Sequence, residues 1–320
     1  MKKRVSFSVL LIIIFSSFVF ADEKERVVAV TFDDLPFVNH NSYSPLQQKE
    51  RTQKLLDVFN EYKIPAVGFV NEYKLFDEDT LSSERVEILN LWLNNNYELG
   101  NHTFSHRSLN KISVDEYKED ILKGEIITKQ LLAEKEKTIR YFRYFRYPYL
   151  QMGNEELKKN EIEKFLKKIN YINAPVTIDN SEWVFARAYD IVLQENDSTK
   201  MKMIGEKYVE YMNIVFEYFE NKSKQLFNRE IKQILLLHAN ALNTDYFKKI
   251  CEMILKRNYS FISLEESLKD PVYQKEEIYV GNWGFSWINR WALTEGKGKD
   301  FYKDEPDPAK EIFKLAGMDN

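Results

Sequence analysis

Short hydrophobic runs alternate along this chain with longer stretches whose apolar positions recur at helical spacing. VVAVTFD (27–33) reads as a strand. Ser44-Pro45-x-Gln47 then opens a helix, with serine at the cap, proline in first position and glutamine placed to reach back. PAVGFV (65–70) predicts a second strand, followed by a helix over about 83–94, and YELGNH (97–102) a third. Ser113-x-x-Glu116 is another capping box, and Ile112 with Tyr117 can form its hydrophobic staple. YFRYFRYP (141–148) and NAPVTID (173–179) predict strands four and five. A helical insert follows over roughly 200–225, then ILLLHA (234–239), a helix over about 244–257, and YSFISL (259–264). Pro/Gly-rich linkers and internal repeats are absent. Strands alternating with helices favour a parallel sheet, and seven such units favour a closed (β/α) barrel.

The polar residues fall where such a barrel would use them. Strand one ends in Asp33-Asp34 and strand three in His102, with His106 just beyond. Strand four ends in Arg146-Tyr147-Pro148-Tyr149, strand five in Asp179 with Glu182-Trp183 following, and strand six in His238. In an α/β barrel these strand ends converge on one mouth. Three of the four histidines share that address. Within NHTFSH (101–106), His102 and His106 are four apart, so one turn of helix or a tight loop puts both on one face. Two neutral imidazoles on one face are the usual start of a transition-metal site, and a carboxylate completes a zinc trio with a position left open. The plainer reading is a polar helix start facing water. Of the adjacent Asp33 and Asp34, one can ligate while the other stays free as a general base; an Asx turn or helix cap is the alternative. Glu98 is conceivable as a third ligand but lies deeper on its strand.

The first residues change the picture of location. Lys2, Lys3 and Arg4 precede an apolar run from Val5 to Phe20, and Val19-Phe20-Ala21 offers a small-residue cleavage site. That is the layout of a signal peptide spanning 1–21, which implies export to a periplasm or the exterior. An uncleaved anchor is the second choice, because the run falls short of the ~20 residues that span a bilayer comfortably. A lipid-attached form would need a cysteine at the cleavage site. The sole cysteine, Cys251, sits in a helical pattern and reads as a small buried residue, so no intrachain disulfide is expected. Loss of the three basic residues takes 46 Lys and Arg to 43 against 50 Asp and Glu, a formal net charge of −7. Such a surface has no bias toward nucleic acid or anionic lipid, and no stable membrane span is expected after cleavage. The oligomeric state is not legible.

TFDDLP, NHTFSH, RYPY, DNSEW and LLLHA, in this order, resemble the five motifs of the polysaccharide deacetylase family, the NodB-type carbohydrate esterases of family four. The resemblance covers about residues 26–270. It implies a distorted (β/α) barrel of about seven parallel strands forming a single catalytic domain (22–270), with 271–320 as a tail packed on it. It further implies a hydrolase that removes N-acetyl groups from an amino-sugar poly- or oligosaccharide with one divalent metal, zinc first among candidates. Carried over by residue, Asp33 resembles the general base, Asp34, His102 and His106 the metal ligands, and Arg146 the arginine that orients the base. Arg143 is a near-duplicate on the opposite strand face. Tyr149 occupies the position whose backbone N–H supports the oxyanion, His238 resembles the general acid, and Trp183 with Leu236 look like pocket walls. Glu182 stands where the family commonly has Asp as the acid's partner, with Asp179 as the other candidate. Leu35 and Leu150 stand where the family usually has glycine.

Two regions stay open. His40 reads as a surface loop residue or a substrate contact at the rim. GNWGFSWINRW (281–291) holds three of the five tryptophans and is either a packing tail or an aromatic wall over the mouth. Two rival functions remain as well: hydrolysis of another C–N bond, such as a formamide or cyclic amide, on the same scaffold, and a non-catalytic sugar-binding relative.

Overall fold

The computed structural model describes residues 26–318. The signal-peptide segment lies outside the described residues. In chain order the elements are β1 (Arg26–Leu35), α1 (Pro45–Tyr62), β2 (Val67–Val70), a small antiparallel hairpin of β3 (Phe76–Asp77) and β4 (Thr80–Leu81), α2 (Ser83–Asn94), β5 (Glu98–Asn101), α3 (Val114–Lys123), α4 (Ile126–Glu134), β6 (Tyr144–Phe145), α5 (Glu156–Lys168) and β7 (Ile172–Asn173). There follow α6 (Glu182–Gln194), α7 (Ser198–Phe227), β8 (Gln233–His238), α8 (Ala241–Lys256), β9 (Tyr259–Phe261), α9 (Leu264–Ser267), α10 (Trp287–Thr294) and α11 (Lys310–Leu315).

The main sheet runs β7-β6-β5-β2-β1-β8, and every pairing in it is parallel. β9 pairs with the first residues of β1, Arg26–Val28, leaving Thr31–Leu35 for β2. The two edges are joined by one segment. Ile172 and Asn173 pair with β6, and five residues on Ile178 bridges to Leu235 of β8. Pro175 lies between these contacts and has no N–H to give a ladder, so the closure is interrupted. The result is a distorted (β/α) barrel.

Both predicted capping boxes form. Ser44 accepts from the Gln47 N–H and Ser113 from the Glu116 N–H, and each partner side chain returns a bond to its cap. Strand four is shorter than its apolar run suggests: residues 139–142 form a single tight turn, Arg143 is in the helical region, and only Tyr144–Phe145 pair as strand. Strand five is likewise reduced to two paired residues and a bridge. Glu182 opens a helix rather than trailing a strand.

An aromatic cluster fills the space between the sheet and its helices. Phe32, Phe59, Trp92 and Phe247 meet at centroid distances of 5.2 to 6.4 Å, mostly edge to face, the arrangement ring quadrupoles favour. Cys251 is buried on α8. Among the described residues, no helix is long and apolar enough to cross a membrane.

Candidate active site and metal centre

The C-terminal ends of the strands open onto a cavity of about 1030 Å³. Its lining includes Asp33, Asp34, His102, His106, Tyr149, Asp179, Trp183, Leu236 and His238, which come from five separate stretches of chain. Arg146 and Glu182 stand directly behind this wall, fully buried.

Asp34, His102 and His106 form one group in which a ligand atom from each lies within 4.8 Å of the others. Asp34 Oδ1 is 3.4 Å from His106 Nε2 and 4.0 Å from His102 Nε2. Left-handed backbone at Asp34 (φ 70°) and His106 (φ 55°) turns the chain so that both side chains face inward. His102 Nδ1 donates to the Arg146 carbonyl at 2.7 Å, which frees Nε2 to act as an acceptor toward the centre. Burial lowers the pKa of both imidazoles. Burial alone would raise that of Asp34, but Lys74 and the imidazoles outweigh it and hold the carboxyl well below its usual range. Asp34 Oδ1 is buried without a hydrogen-bond donor. Two neutral imidazoles, an ionised carboxylate and an orphaned oxygen match the donor set of a divalent transition metal.

Asp33 sits beside this group, its Oδ2 3.6 Å from His102 Nε2, and is also held by an arginine. Both its oxygens accept from Arg146 Nη1 at 3.4 Å, and Arg146 Nη2 is anchored on Thr31 Oγ1 at 3.0 Å. The Arg146 guanidinium lies 4.6 Å above the Phe69 ring. Burial raises Asp33 to about 6 against the opposing pull of Arg146. Arg143 is remote, bound to Glu98 at 3.7 Å and Glu265 at 3.0 Å. That pair also removes Glu98 from consideration as a metal ligand.

On the opposite side, His238 Nδ1 meets Glu182 Oε2 at 2.8 Å. The other Glu182 oxygen accepts from Asn240 and, at 2.7 Å, from Asn243. Glu182 reaches His238 because it starts α6 and projects under the β8 terminus. Burial would lower the His238 pKa, but the Glu182 bond and charge prevail and lift it to about 9. Asp179 is not bonded to His238: its Oδ1 accepts from the Asn180 N–H at 2.8 Å, and burial raises it to about 6. Trp183 is half-exposed and Leu236 nearly buried, both on the cavity wall.

The departures at Leu35 and Leu150 have different answers. The left-handed residue of the first loop is Asp34, so position 35 need not be glycine. Leu35 is buried against Gly68 of β2, where a Cβ would lie 2.5 Å from Leu35 Cδ2. Leu150, in contrast, does adopt left-handed backbone (φ 54°), directly after Tyr149 (φ 58°).

Three features escape the sequence reading. Lys74 is buried, donates to the Asp34 carbonyl at 3.1 Å and lies 3.4 Å from Asp34 Oδ1. Nothing in NEYKLF signals an ammonium at a metal centre. His40 is neither on the surface nor at the rim: it is buried edge-on to Tyr73 at 5.5 Å, and burial followed by the Lys74 charge lowers its pKa to about 4. Finally, the segment 281–291 packs and supplies none of the cavity-lining residues, whereas residues farther along the chain do line it. Trp287 and Trp291 are buried, whereas Trp283 is 71% exposed, and Tyr302, Glu305 and Pro306 stand on the cavity wall.

Comparison with known proteins adds a family. Residues 21–166 match the polysaccharide deacetylase family model. A peptidoglycan-N-acetylglucosamine deacetylase of Bacillus cereus is 28% identical over 156 residues, covering 49% of this chain and 46% of the relative. The chain thus spans about half the length of that curated relative. Among solved structures, the peptidoglycan deacetylase PdaC from Bacillus subtilis aligns with a TM-score of 0.47 and 20% identity, over 78% of this chain and 94% of that one. A CE4 family pseudoenzyme from Bacillus anthracis aligns at 0.46 and 13% identity, over 77% and 66%. The matched stretch ends before Glu182 and His238, so those two rest on geometry. Residues 21–166 are thus similar to the polysaccharide deacetylase family, and Asp34, His102 and His106, all within that stretch, are gathered in one group.

Proposed function

We propose that this protein is an exported, zinc-dependent hydrolase that removes N-acetyl groups from an amino-sugar poly- or oligosaccharide. The observation that carries the reading is the three-part order of the cavity floor: a carboxylate held by Arg146, an Asp-His-His trio, and a histidine held by Glu182. Asp34, His102 and His106 would hold a divalent metal, which would supply activation of the attacking water and polarisation of the acetamide carbonyl. Asp33 takes the proton of that water, with Arg146 fixing its orientation. The Tyr149 N–H donates to the oxygen as negative charge develops there. His238, kept cationic by Glu182, gives its proton to the departing amine. Trp183 and Leu236 flank the acetyl group and its sugar. Export rests on the N-terminal sequence, and the acetylated carbohydrate on the family.

Paired substitutions test the division of labour. Asp33→Asn is expected to keep full zinc content by elemental analysis and to lose at least ~10²-fold in acetate release. Asp34→Asn is expected to lose the metal. The reverse pattern would exchange the two roles.

A further inference from the structure

Tyr149 and Leu150 are consecutive non-glycine residues with left-handed backbone. Each such residue costs roughly 1–2 kcal/mol and persists only where its surroundings enforce it. What surrounds this turn is the C-terminal segment, beyond the stretch that matches the family. Gly284 packs directly on the Tyr149 peptide: a Cβ at 284 would lie 1.7 Å from the Tyr149 carbonyl oxygen and 3.0 Å from Leu150 Cβ. Around this contact the two segments are stitched by hydrogen bonds. Gln151 Nε2 donates to the Asn282 carbonyl at 2.9 Å, Asn154 Nδ2 to Asn282 Oδ1 at 3.1 Å, and the Gly281 N–H to the Gly153 carbonyl at 3.4 Å. Asn110, in the loop after His106, also donates to the Asn282 carbonyl, at 3.3 Å. The base of the clamp is rigid too, since Lys159 and Arg290 bind Glu277 and the Tyr279 carbonyl. Among the described residues the Tyr149 N–H has no acceptor, although the N–H groups of the two residues that follow, Leu150 and Gln151, do.

We propose that residues 281–284 are a positioning element for catalysis, a brace that holds the Tyr149–Leu150 turn so that the Tyr149 N–H is kept available to the reacting oxygen. The inference rests on the deacetylase reading for its catalytic consequence, and on the Gly284 contact for its structural content. Glycine at 284 is required by proximity, because any side chain there must push the turn away. Leucine at 150 is tolerated because the brace supplies the restraint that a permissive glycine would make unnecessary. Tyr149 is the group that touches substrate; Gly284 acts through it.

The experiment combines hydrogen–deuterium exchange of peptides spanning 147–153 with steady-state acetate release from N-acetylated chitooligosaccharides, for wild type, Gly284→Ala and the milder Gln151→Ala. Both variants are expected to exchange faster in that segment. Each is also expected to lower kcat at unchanged KM and zinc content, by about tenfold or more for Gly284→Ala, since one lost oxyanion donor costs ~10²–10³. Gln151→Ala introduces no clash and serves if Gly284→Ala fails to fold. Unchanged exchange in the folded variants overturns the brace. Faster exchange with unchanged kcat overturns its link to catalysis. A wild type that releases no acetate from any substrate refutes the functional reading instead, while exchange still decides the brace.

Discussion

Lys74 and Asp34 make an unusual pair, a buried ammonium 3.4 Å from the buried Oδ1 of a proposed metal ligand. Without metal, Lys74 is the nearest cation to the Asp34 carboxylate, and removing one member of a buried pair typically costs about 3–5 kcal/mol. Lys74→Met is therefore expected to lower the thermal midpoint of the metal-free protein and to enlarge the upward shift that zinc produces. Differential scanning calorimetry with and without zinc checks this; an equal zinc-induced shift in wild type and variant would contradict it. His238 carries a second prediction. Its pKa, near 6.5 in the unfolded chain, rises to about 9 beside Glu182. The pair's contribution to stability is thus full below about pH 6.5 and is lost as pH rises through about 9. The same proton serves the leaving amine, so activity is expected to fall on the alkaline side with that group. Glu182→Gln should move the alkaline limb of the rate profile down by a unit or more at unchanged zinc content. A limb that stays in place would mean that Glu182 does not tune the acid.

At the scale of elements, helices were easier to read than strands. Ser44-x-x-Gln47 and Ser113-x-x-Glu116 announce their helices because a cap is a local hydrogen bond between residues three apart. Ser113→Ala is accordingly expected to cost about 1 kcal/mol of stability by chemical denaturation, leaving zinc content intact. A negligible change would show the cap to be redundant with the packing of Tyr117. Strands four and five were overread because their apolar alternation reports burial, whereas pairing depends on a neighbour elsewhere in the chain. Pro175 was the local warning in strand five. The histidine pair was legible from the four-residue spacing of His102 and His106, while the choice of Asp34 over Asp33 beside it came from the family resemblance alone. Lys74 and the Gly284 contact were not legible, because each depends on which distant segments meet.

For the whole molecule, the barrel explains why groups from position 33 to position 238 share one floor: parallel strands bring their C-terminal ends to a single mouth. The C-terminal segment then alters that mouth, with Gly284 against one wall and Tyr302 to Pro306 on another. The cavity volume of about 1030 Å³ has room for more than an isolated acetamide. The central claim is that this floor, loaded with zinc, hydrolyses an N-acetyl group on an amino sugar. The most direct test is to strip the purified protein, reload it with zinc, and assay acetate and formate released from chitin, peptidoglycan and β-1,6-linked oligosaccharides. The account predicts acetate, with one free amine gained per acetate, from at least one of the three, and none after His102→Ala. Formate in place of acetate, or tight sugar binding with neither acid released by the zinc-loaded protein, would contradict it.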